Sequence, residues 1–194
     1  MQKKVSAFII VLAALFASCY FPEVIETRII FEADKSPTVM INYQNISSAE
    51  EEEQEIKESF DDLVKDFYGD DFLVEKASEG LAVRKRQLFI KNDQLHAEVI
   101  GDAEDLGRLY NFIEIDQERI LVYDGDDTYE LLETNGKVVK TDRNTLVVWP
   151  IASKTIYWKE KLTDLGEQTE SKLFYSNVPK MVALFKDYQS KKKN

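Results

Sequence analysis

Apolar residues recur along this chain in three rhythms. Near the start they run almost unbroken from Val5 to Ala17, with only Ser6 between. Further on, Ile56, Phe60, Leu63, Val64 and Phe67 fall on one stripe at the helical period. From Phe72 to Trp158 they alternate with polar residues or form short β-rich runs, the pattern of strands.

Each rhythm predicts an element. Ser48 with Glu51 three residues on predicts a capping box for the helix of the stripe, and Gly69 predicts its C-terminal end. The acidic run Glu50 to Glu53 lies in the first turns, where the helix dipole favours negative charge. Before it, Thr27–Ala33 and Thr38–Tyr43 flank the turn formers Asp34, Lys35, Ser36 and Pro37, which predicts a hairpin. After it, short strands follow in quick order, with a short helix over 103–110 capped by Asp102. The strands are parted by Asn92-Asp93, Asp116-Gln117-Glu118, Asp124–Asp127, Asn135-Gly136 and Asp142–Asn144. Strands this close leave no room for crossover helices, so they must pair antiparallel. Asn135-Gly136 is the strongest hairpin signal, because a type I′ turn needs positive φ twice. Thr155–Trp158 is expected as the last strand, with Pro150 marking a kink or an edge.

A second helix is expected to start near Ser176–Pro179 and to bury Met181, Leu184, Phe185 and Tyr188. The fold class that results is α+β. A curved, meander-like antiparallel sheet carries one amphipathic helix inserted early and one at the C-terminus. The globular domain is expected over residues 27–190, with 20–26 (YFPEVIE) as a short tether and 191–194 as a basic, solvated tail.

The first rhythm has its own meaning. Lys3 and Lys4 precede the apolar run, and small residues close it. That is the form of a secretory signal peptide, and it is too short to span a bilayer. Leu15-Phe16-Ala17-Ser18-Cys19 resembles the lipobox of bacterial lipoproteins. The resemblance covers only the first twenty residues. It implies cleavage after residue 18, a diacylglyceryl group on the Cys19 thiol and acylation of the new amine. Phe16 stands where a leucine is common, and Leu15 lies one residue early. Tyr20 follows the cysteine where an aspartate would signal inner-membrane retention, so the outer membrane, facing the periplasm, is the expected address. Cys19 is the single cysteine, so the mature domain has no disulfide and depends on its apolar core.

Composition narrows the partners. The chain carries a net charge of -11, and loss of Lys3 and Lys4 with no acid would make it -13. Such a surface repels phosphate backbones, so nucleic acid is not an expected partner. The membrane is expected to hold the domain through the lipid alone.

The chemistry-bearing residues are few. His96 is the one histidine, set in an alternating run, and no Gly-x-Ser-x-Gly elbow is present. One histidine and one acylated cysteine do not supply a usual zinc set. Tyr68-Gly69-Asp70-Asp71 is similar to a polymerase signature, but it follows a helix end and not a hairpin. Asp124-Gly125-Asp126-Asp127 lacks the spacing and closing glutamate of a calcium loop and reads as a turn. Asn45-Ile46-Ser47 fits an N-glycosylation acceptor, which matters only on a eukaryotic route. No catalytic residue, cofactor or metal is therefore expected.

Aromatic residues crowd the last third, chiefly as core. Trp149, Tyr157, Trp158 and Phe185 are the candidates for a ligand-binding or partner surface. The expected function is a non-enzymatic binding or assembly role beside a protein partner in the envelope. The alternative is a carrier or chaperone for lipid or lipidated cargo, with an apolar pocket in the curved sheet.

Overall fold

The computed structural model describes residues 20–123, 128–142, 144–163 and 168–192. Ten strands and four helices are present among them. Two antiparallel sheets replace the single expected one. The larger is ordered β3 (Leu81–Lys91), β4 (Gln94–Ala103), β2 (Thr38–Ser48), β1 (Tyr20–Ile30), β10 (Thr155–Leu162) and β7 (Tyr129–Thr134). The smaller is ordered β5 (Phe112–Ile115), β6 (Glu118–Tyr123), β9 (Thr145–Pro150) and β8 (Lys137–Lys140). The fold class is α+β, as the periodicity predicts.

Alternation builds the inner face of the larger sheet. Pairing sets Thr27 between Trp158 and Ile41, and Ile41 beside Val99. The next row sets Ile29 between Ile156 and Val39. All seven of these side chains are buried. Three helices cover this face: α1 (Glu53–Tyr68), α2 (Asp70–Ser78) and α4 (Gln168–Lys192). The fourth, α3 (Leu106–Leu109), is a single turn capped by the Asp105 side chain. Asp102, the expected cap, lies within β4.

The two sheets meet through aromatic rings. Trp158 lies 6.3 Å from Trp149, 5.0 Å from Tyr110 and 6.0 Å from Phe112, centroid to centroid. Edge-on and tilted rings of this kind pack a core without facing their negative π clouds together.

Several expectations are corrected. Residues 20–26 are not a tether but the first half of β1, paired with β2 from Tyr20↔Ser48 onward. Ser48 is consequently a strand residue and caps nothing in α1, whose N-cap is Glu52; its hydroxyl accepts from the Glu50 amide. Asp70–Ser78, expected within the strand region from Phe72 onward, is helical. The four residues at 81–84 and at 87–90 belong to one strand, β3, with a bulge between Val83 and Lys85. Asn135-Gly136 closes no hairpin, because β7 and β8 belong to different sheets. It makes the corner between them. The Asn135 Oδ1 accepts from Trp149 Nε1 at 2.8 Å and from the Tyr157 amide at 2.9 Å. A Cβ on Gly136 would lie 2.6 Å from a ring carbon of Trp149, so glycine is needed here for space. The I′ signature appears instead at Asn92-Asp93 and Asp116-Gln117, all four at positive φ.

The C-terminal helix starts at Gln168, well before Ser176, and holds Pro179 inside it on the exposed side. A proline there removes one helical hydrogen bond, and on the outer face water can satisfy the freed carbonyl. Lys191 and Lys192 belong to its last turn and not to a loose tail. Lys192 Nζ sits 5.2 Å from the Tyr68 ring centroid and 5.7 Å from that of Tyr188.

Candidate functional site

Where β1 and β2 run past the helices, the inner face is not filled. Asn45 adopts positive φ in β2. Beyond it, burial no longer alternates: Asn45, Ile46, Ser47 and Ser48 are all buried. The α1–α2 corner stands over this end of the sheet and leaves a cavity of about 250 Å³. Its floor is Tyr43, Ile46 and Ala97, its near wall Tyr20 and Pro22, and its roof Leu63, Phe67 and Phe72. The floor and most of the walls are buried and apolar, while Asp66 and Asp71 are exposed at the rim. Apolar clefts with a few convergent polar groups are the usual form of a small-molecule site.

Arg86 holds the roof. The bulge in β3 puts Arg84 and Lys85 both outward and turns Arg86 inward. Its guanidinium donates to the carbonyls of Phe67 (2.8 Å), Gly69 (2.8 Å) and Tyr68 (2.9 Å). These carbonyls end α1 and have no helical partner, so a cation there satisfies them and the helix dipole together. The Tyr68 hydroxyl in turn accepts from the Leu88 amide. The corner is thereby tied to β3 from both sides.

Inside stands a charged pair. Lys76 is 3% exposed and its Nζ lies 3.0 Å from Glu79 Oε2 and 3.3 Å from Glu75 Oε1. It also lies 5.6 Å from the Phe72 ring centroid. Burial works against its charge, but the acidic groups around it outweigh that and hold the ammonium above its ordinary value. Tyr43 faces the same space at 6% exposure, and its hydroxyl has no hydrogen-bond partner among the described residues. Burial pushes its phenol up, against the pull of Lys76. Tyr43 is therefore a neutral donor, ready for an acceptor.

The residues singled out by sequence fall elsewhere. Trp149 (1% exposed), Trp158 (2%) and Phe185 (1%) are core and present no surface. Tyr157 lies on the outer face of the sheet, bonded to Glu133 and under Arg28. None of the four lines the cavity. Aromatic crowding marked the join of the two sheets instead. Cys19 and the loop 124–127 lie outside the described residues. His96 is a sheet residue, stacked on Phe89 and bonded to the Lys91 carbonyl. Asn45 is buried and donates to Glu23 at 2.7 Å, so the folded domain does not offer it for glycosylation. Of the Tyr68–Asp71 signature, Asp71 reaches the cavity rim, as the start of α2.

Among the described residues no cluster of three or more His, Cys, Asp or Glu could hold a metal, and no helix is long and apolar enough to cross a membrane. No family model, curated protein or solved structure matches the chain.

Proposed function

We propose that this chain is a non-enzymatic binding protein of the bacterial cell envelope, anchored through lipid on Cys19, whose ligand is an apolar group held in the cavity behind Tyr20. The anchor reading is supported by the basic start, the apolar run and the lipobox-like residues that end at Cys19. The cavity carries the binding reading: it is apolar, roofed by a braced helix corner, and entered past side chains that make few bonds of their own. Attachment at Cys19 would set the domain against the bilayer without a spacer, because the next residue, Tyr20, is already in β1 and 1% exposed.

Two measurements test this. Metabolic labelling with an alkyne fatty acid should mark the full chain in a bacterium, and Cys19→Ser should abolish the label. Native mass spectrometry of the mature protein, extracted gently, should show a bound mass that is lost in Ala97→Leu, which fills the floor of the cavity. A labelled protein with no bound mass in either form would leave the anchor and remove the ligand. In that case the protein-partner reading would take its place. Its support is the cleft between the edge strands β7 and β8, where Leu132 and Val138 are exposed apolar residues.

A further inference from the structure

The charges around the cavity select its ligand. Asp66 and Asp71 stand at the rim and Glu75 just inside it. Asp71 makes no hydrogen bond or ion pair among the described residues, and Asp66 has only the 3.5 Å contact from the Tyr20 hydroxyl. Lys76 is the one cation among the described residues that line the cavity, and Glu79 and Glu75 engage it; Arg86, behind the roof, is held by three backbone carbonyls. Among the lining residues, Asp66, Asp71 and Glu75 stand against Lys76, which leaves the lining two charges negative. An anionic head, such as a fatty acid carboxylate, would meet carboxylates at the rim with no free cation among the described lining residues to receive it. A cationic head would meet the reverse.

From this we infer that the cavity takes an amphiphile with an ammonium head. The head sits at the rim between Asp66 and Asp71. The tail runs inward over Phe67, Leu63 and Ile46, and the Tyr43 hydroxyl donates to an ester, amide or ether oxygen near the head. The inference rests on the proposed ligand site and adds the charge class of what it binds. Apolar burial supplies the affinity, and the rim supplies the choice between heads.

The test compares three probes with one tail length, each below its critical micelle concentration: decyltrimethylammonium, decanoate and the neutral decyl tetraethylene glycol ether. Titration calorimetry gives affinity, and amide chemical shifts of Phe72, Glu75 and Lys76 report whether the cavity is the site. The ammonium probe should bind about tenfold tighter than decanoate, a difference of about 1.4 kcal/mol. Added salt should weaken that preference. In the doubly substituted Asp66→Asn/Asp71→Asn protein, altered only at exposed side chains, the preference for the ammonium probe over decanoate should mostly vanish. Equal affinities for all three probes, tighter decanoate, or a preference unmoved by the double substitution would overturn the charge class while leaving a ligand site. Failure of every probe to shift these amides would overturn the site and the inference together.

Discussion

Replacing Lys76 by Met would leave the Glu79 carboxylate buried without its cation. Such a break costs about 3–5 kcal/mol, whereas removing both charges of a buried pair is often near neutral. Lys76→Met is therefore expected to lower the denaturation midpoint sharply, and Lys76→Met/Glu79→Leu to recover much of the loss. Urea titrations of the two proteins and the parent would show it; equal losses would mean the pair is not coupled. His96 makes a second prediction at this scale. Burial holds its imidazole below the ordinary value. The unfolded chain then takes up the proton more readily than the folded one, so stability falls as pH drops through the ordinary histidine range near 6.5. His96→Gln should flatten the stability profile below that pH, measured by thermal melts across a pH series. A profile unchanged by the substitution would assign the acid sensitivity to carboxylates.

At the level of elements, the helix corner depends on a strand that comes after it. Arg86→Met should loosen α1 and α2 together and cost about 2–3 kcal/mol, since each bond to a charged group is worth roughly 1.5–3 and neighbouring losses are not additive. Arg86→Lys should recover only part, because an ammonium cannot fork across three carbonyls. Hydrogen exchange at the end of α1 would separate the two variants. The same elements explain what the sequence discloses. The stripe from Ile56 to Phe67 was legible because a helix writes its burial into local spacing. β1 was not, since Pro22 and two glutamates within 20–26 resemble a linker. Pro22 is tolerated because its carbonyl, and so the side its missing N–H would face, turns toward Tyr129 and not toward β2. On that side β10 pairs with β1 only from Val24 onward, so no ladder bond is lost there. Asn135-Gly136 misled for a related reason: its local hairpin preference yields to Trp149 packing and to β7 pairing with β10. The cavity was invisible because Tyr20, Tyr43, Leu63 and Phe72 meet only through the fold.

For the whole molecule, the stretch that reads as dispensable is structural. A protein that begins at residue 27 would lose half of β1 and the cavity wall of Tyr20 and Pro22. It is expected to melt without a cooperative transition, where a protein that begins at residue 20 melts with one. A retained sharp transition would return residues 20–26 to a linker role. The order of strands has one more outcome, in time. β1 is made first, yet one of its two neighbours in the larger sheet is β10, which begins only at Thr155. Non-local pairing of this kind is slow to form. While the chain is still being synthesised, its central sheet lacks a member and cannot close. The strands β1 to β4 can pair among themselves early, but the second neighbour of β1 and the join to the smaller sheet wait for the last strands, so the order of strands sets the order of assembly.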